Sequence, residues 1–181
     1  MPKIFLSPST QEFNPYTGEQ GGNEEYYMNL VADAMEPYLT ASGIEFERID
    51  ASQSLSQAVA QSNAGDYDLH FAIHSNAAGA QNSGQVRGVE FYYYPTSENG
   101  ERFANILKEN YKEVYPDPDK IKTLGTTTLF ETRRTKAPAV LAEVAYHDNV
   151  QDADFIRSNI DDIARNFSKS IAEYLGVPFV G

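Results

Sequence analysis

The chain contains no cysteine. That excludes disulfides, iron–sulfur clusters, thiolate zinc and cysteine nucleophiles, and it leaves nitrogen and oxygen as the only metal donors. No apolar run approaches the ~20 residues that a membrane-spanning helix needs. Basic residues are scarce: 14 Lys and Arg stand against 26 Asp and Glu, a formal net charge of −12. Phosphate contacts need clustered Lys and Arg, so neither nucleic acid nor an anionic membrane surface is expected as a partner. Met1 to Ser7 is too short to be a signal peptide. Either export does not use that route or the chain is an excised module. Histidine is also sparse, with three in all, His70, His74 and His147.

What is present suffices for a folded domain. The chain has 181 residues, of which 41% are hydrophobic, so one domain covering 1–181 with a sizeable core is expected. Short strands are predicted at 3–7, 44–49, 67–73, 88–94, 121–124 and 138–144, with a further one at 127–130. Helices are predicted at 24–40, 54–62, 98–111 and 152–175. The first carries Tyr27, Leu30, Val31, Ala34, Met35, Tyr38 and Leu39 at spacings of three and four, one helical face. Strands alternating with helices imply an α/β fold, a single domain with a mostly parallel twisted sheet and helices on both faces. The 7–23 stretch is a long polar loop, and such loops are often functional.

The histidines fall in two segments, Asp68 to Asn76 and Ala139 to Asn149. Each runs apolar and then breaks into polar residues. Ligands in open α/β sheets bind outside the carboxyl ends of strands, so the two segments suggest one shared site. His74 at a strand end reads equally as a hydrogen-bonded histidine or as a metal ligand. His70 points to the same strand face but lies ~13 Å away along the strand, too far to share a metal through bonds of ~2.0–2.2 Å. It reads as a core or sheet-face histidine. Glu143 lies between Leu141, Ala142, Val144 and Ala145. A carboxylate there is costly unless it is salt-bridged or serves as a general base or acid with a raised pKa. Asn23-Glu24-Glu25 is a good helix start, with a capping Asn and acids facing the dipole. Beside His74 and Glu143, one of these carboxylates could also complete a hydrolytic metal site.

At these residues the chain resembles the zinc-dependent N-acetylmuramoyl-L-alanine amidases, which cut peptidoglycan between the lactyl group of muramic acid and L-alanine. Glu24 matches the family's Glu at the start of the first helix, and His74-Ser75-Asn76 its His-x-Asn. Pro138 to Glu143 matches the late Pro-Ala-Val-Leu-x-Glu strand, and Gly88 to Tyr93 the Gly-x-Glu-Val-Tyr-Tyr strand. The family's first zinc His has no counterpart near Thr10-Gln11. The resemblance implies a phosphorylase/hydrolase-like fold and a zinc cofactor held by Glu24, His74 and a third ligand. His147 is expected in that third place, with Gln11 as the alternative. Glu143 is then the catalytic base, and Asn76, Arg133 and Arg134 contact substrate. A monomer acting on peptidoglycan in the cell wall or outside the cell is implied, as a phage lysin, a sporulation enzyme, an autolysin or an excised module. Two other classes remain compatible: a degenerate module that binds peptidoglycan without cutting it, and another zinc amidohydrolase or carboxypeptidase.

Overall fold

The computed structural model describes residues 1–181. Six strands form one sheet: β1 (Lys3–Pro8), β2 (Glu45–Arg48), β3 (Leu69–Asn76), β4 (Val89–Tyr93), β5 (Ile121–Gly125) and β6 (Ala139–Tyr146). Their spatial order is β2-β1-β3-β6-β4-β5. β2, β1, β3 and β6 run parallel; β4 is antiparallel to β6, and β5 is parallel to β4. This is the mostly parallel α/β sheet expected from the sequence.

The helices are α1 (Glu24–Ala41), α2 (Leu55–Ala64), α3 (Glu98–Tyr111), α4 (Phe130–Arg134), α5 (Val150–Ser158) and α6 (Ile160–Leu175). They are shared unevenly between the two faces of the sheet. Ile4, Leu6, Phe71, Ile73, Phe91, Val140, Ala142 and Val144 point to one face and join the large core with residues of α1, α3, α5 and α6. Phe71, Phe91, Phe103, Tyr111 and Phe167 stack or meet edge-on within it. Period-two alternation sends Phe5, Ser7, His70, Ala72, His74, Leu141 and Glu143 to the opposite face. There the only apolar cluster is Phe5, Ile49 and Ala58, the last on α2. The site lies on this thinly covered face.

Two predicted elements differ. The 127–130 segment is not a strand. Thr126 and Thr128 hydroxyls bond each other, and Thr126 Oγ1 accepts the Thr128 N–H, a local turn that displaces sheet pairing. Phe130–Arg134 then forms the short helix α4. The predicted 152–175 helix is two helices. At Asn159 the backbone leaves helical geometry (φ −131°, ψ 28°), and the Asn159 amide donates to the Phe155 carbonyl.

Candidate active site

His74 of β3, Glu143 of β6 and Glu90 of β4 form one row across the sheet. His74 pairs in register with Glu143, which pairs with Glu90. Registered neighbours share a face, so the three side chains sit side by side. One extra residue lies on β6 between the Glu143 and Tyr146 pairings, a bulge at the edge of the site. Glu143 Oε2 is shielded from solvent and has no hydrogen-bond partner. Desolvation dominates its titration. The His74 charge partly offsets the effect, Glu24 and Glu90 add to it, and the pKa is pushed up to about 8.

Glu24 enters from the first turn of α1. Asn23 caps that helix, its side chain accepting the Tyr26 N–H at 2.8 Å. The preceding loop folds back on the helix start: the Glu24 N–H donates to the Asn14 carbonyl, and Pro15 bridges Asn23. Glu24 Oε1 thereby lies 2.9 Å from His74 Nδ1, and Asn14 Nδ2 donates to both Glu24 Oε2 and Gln11 Oε1. Burial opposes ionisation of Glu24, but His74 and Asn14 outweigh it and hold its pKa below the usual value. Burial would likewise lower the His74 pKa, yet the Glu131 and Glu24 carboxylates raise it well above the ordinary imidazole range.

Glu131 is the residue that the sequence did not reveal. It is buried on α4, accepts from Ser7 Oγ, and lies 3.0 Å from His70 Nε2 and 3.2 Å from His74 Nε2. Burial would raise its pKa, but the two imidazoles hold it well below the carboxylate range. His70, expected as a core or sheet-face residue, is fully buried and bonded to Ser62 and Glu131. The two histidines share a carboxylate. The only available sequence signal was their common strand face, which required a partner from elsewhere in the chain.

The other expected residues are distributed as follows. His147 is buried, and its Nδ1 meets Ser75 Oγ at 3.0 Å and the Ser75 carbonyl at 3.1 Å. No three His, Asp or Glu side chains gather into a metal cluster, so His147 does not join Glu24 and His74 as expected. The constraint is local: Ser75 holds the ring, and Tyr16 stacks on it at 5.4 Å. Burial lowers its pKa. Gln11, the alternative, lines a cavity of about 50 Å³ together with His74 and Glu131. Asn76 ends β3 and donates to Glu90 Oε2 at 3.0 Å. Arg133 and Arg134 are exposed on α4, and Arg133 lines a separate cleft of about 430 Å³ with Lys136. A second cleft, of about 460 Å³, opens beside the site and is lined by Asn14, Tyr16, Ala77, Gly79, His147 and Asp148.

The donors present are of the kinds that zinc takes. A carboxylate oxygen and an imidazole nitrogen face each other at 2.9 Å, with a side-chain amide oxygen one hydrogen bond away through Asn14. The unpartnered Glu143 oxygen lies across the strand pair from His74.

The chain is 27% identical over 180 residues to N-acetylmuramoyl-L-alanine amidase CwlM of Bacillus licheniformis, covering 95% of this chain and 68% of that protein. In fold it is similar to N-acetylmuramoyl-L-alanine amidase AmiC2 of Nostoc punctiforme, with a TM-score of 0.81, 20% identity and 97% of each chain covered. It is also similar to the catalytic domain of CwlV, an amidase from Bacillus (Paenibacillus) polymyxa var. colistinus. There the TM-score is 0.79 at 21% identity, covering 98% of this chain and 100% of that one. The profile of the N-acetylmuramoyl-L-alanine amidase family matches residues 11–173, nearly the whole length, and the chain belongs to that family.

Proposed function

We propose that the chain, acting as one catalytic domain, hydrolyses the amide between the lactyl group of N-acetylmuramic acid and L-alanine in peptidoglycan. Family membership favours this over a module that only binds the wall. The observation that carries it is Glu143. One oxygen of its carboxyl is shielded and unpartnered beside the Glu24–His74 pair, an arrangement that does nothing for stability yet suits a base that receives a proton.

The proposed cofactor is zinc, which Glu24, His74 and, as third ligand, Gln11 would hold. Gln11 is preferred to His147 because Asn14 ties it to Glu24 and it lines the same small cavity as His74. Bound there, zinc would supply Lewis acidity, lowering the pKa of water and polarising the scissile carbonyl. Glu143 removes the proton from the attacking water and delivers it to the nitrogen of L-alanine as the C–N bond breaks. Asn76, at the mouth of β3, presents its amide to substrate carbonyls. Arg133 and Arg134, exposed and outside every ion pair in the structure, receive stem-peptide carboxylates. His147 lines the 460 Å³ cleft, where it contacts the substrate. A monomer working outside the cell or in the wall completes the proposal.

The test is zinc content measured beside release of free amino groups from peptidoglycan, for the unaltered chain, Gln11→Ala, His147→Ala and Glu143→Gln. Expected are stoichiometric zinc and activity in the unaltered chain. Gln11→Ala should lose zinc, His147→Ala should keep it with a raised KM, and Glu143→Gln should keep it with kcat lowered about 10²–10⁴-fold. No amine release from the zinc-supplemented protein would refute the proposal.

A further inference from the structure

His74 is held at both ring nitrogens. Nδ1 faces Glu24 Oε1 at 2.9 Å, and Nε2 faces Glu131 Oε2 at 3.2 Å. The other Glu131 oxygen lies 3.0 Å from His70 Nε2 and accepts from Ser7 Oγ. His70 Nδ1 in turn meets Ser62 Oγ at 2.9 Å. Ser7, Ser62, His70 and Glu131 are all buried, and the reaction described above uses none of them.

A neutral imidazole has one proton to place between two nitrogens. Glu24 and Glu131 each face one ring nitrogen of His74; when a metal takes the Nδ1 lone pair, the remaining proton stays on Nε2, where Glu131 accepts it. We propose that Glu131 is a positioning residue: it binds the His74 Nε2–H, fixes tautomer and ring angle, and turns Nδ1 towards Glu24, while His70 and Ser7 hold Glu131 in place. This deepens the zinc reading and rests on it.

Two features argue against simple bracing of the fold. A buried carboxylate is a costly way to tie α4 to β3, because apolar side chains of similar volume would pack there at no desolvation cost. Moreover, α4 has only five residues and no side-chain bond at its N-cap. So short a helix does not stand alone. Its buried residues are Glu131 and Thr132, so the helix serves to deliver Glu131 to the histidines.

The test compares the unaltered chain with Glu131→Gln in two measurements. The first is the zinc dissociation constant by chelator competition, taken where circular dichroism shows both proteins folded. The second is proton NMR with ¹⁵N-histidine, reading whether His74 Nε2 carries a downfield, exchange-protected proton. Expected is such a proton in the unaltered chain with and without zinc, its loss in Glu131→Gln, and zinc bound about 10–100-fold more weakly by the variant. Affinity unchanged in Glu131→Gln, or no proton on His74 Nε2 in the unaltered chain, would overturn the proposal. If the unaltered chain binds no zinc, the metal reading fails by itself, and the location of the His74 proton still decides the role of Glu131. The same measurement decides it if Glu131→Gln does not fold.

Discussion

Glu143 shows in one side chain how activity and stability oppose each other. Its carboxyl is harder to ionise in the fold than in the unfolded chain, with a pKa of about 8 against an ordinary 4.5. Between those values the unfolded chain has released a proton that the folded chain still holds. Stability of the metal-free protein therefore falls as pH rises from about 4.5 to about 8, and the loss is complete above that. Glu143→Gln keeps the shape and removes the titration. It is expected to lower kcat by about 10²–10⁴-fold, the usual worth of a general base. The same substitution should raise the melting temperature at pH 8 and leave it nearly unchanged at pH 4. Melting curves of both metal-free proteins across that range check the sign. His74 behaves in the complementary way. Held protonated between Glu131 and Glu24, it must release a proton before Nδ1 can bind a metal. Zinc affinity is expected to weaken steadily as pH falls, and a calorimetric titration in buffers of different ionisation heat should count the released proton.

At the scale of elements, the loop between β1 and α1 decides whether Glu24, Asn14 and Gln11 meet. Arg157 on α5 holds it: its guanidinium donates to the Thr17 and Gly21 carbonyls at 2.8 and 2.7 Å and to the Tyr27 hydroxyl at 3.1 Å. Arg157→Ala leaves two carbonyls without their charged donor. It is expected to cost about 1–3 kcal/mol of stability. It should also weaken zinc binding although Arg157 touches no proposed ligand, and hydrogen exchange should localise the loosening to the loop. The same element shows where the sequence was legible. Helix starts, apolar strands and the Pro138–Glu143 segment could be read because each is specified by near neighbours. Thus α1 carries its Asn cap, and β6 its continuous apolar run up to Glu143. Glu131 could not be read, because a lone Glu between Phe130 and Thr132 looks like any solvated loop residue. Its meaning comes from Ser7, His70 and His74, none of them within 50 residues of it. The helix predicted over 152–175 divides in two for a related reason. Apolar periodicity continues through Asn159, where the side chain bonds the Phe155 carbonyl and the backbone leaves helical geometry.

At the scale of the whole molecule, the sheet divides its labour by face. α1, α3, α5 and α6 bury an aromatic core on one side, which leaves the other free for a row of ionisable groups under only two short helices. The free side opens towards the carboxyl ends of β1, β3 and β6, where parallel α/β sheets place ligands. Glu24, Glu90, Glu131 and Glu143, gathered about this side, are among the acids that give the chain its formal net charge of −12. Peptidoglycan stems end in carboxylates, so an intact wall presents a polyanion to an anionic enzyme. Like-signed partners meet more slowly in dilute salt, where the Debye length is about 30 Å at 0.01 M, than at 0.15 M, where it is about 8 Å. kcat/KM on intact walls is therefore expected to rise over that interval, carried by the encounter and leaving kcat unchanged. On a small uncharged muropeptide amide the same change of salt should leave kcat/KM flat, since the long-range repulsion is absent. A fall with salt on walls would instead mean that Arg133 and Arg134 capture the stem carboxylates strongly enough to dominate the field of the whole molecule.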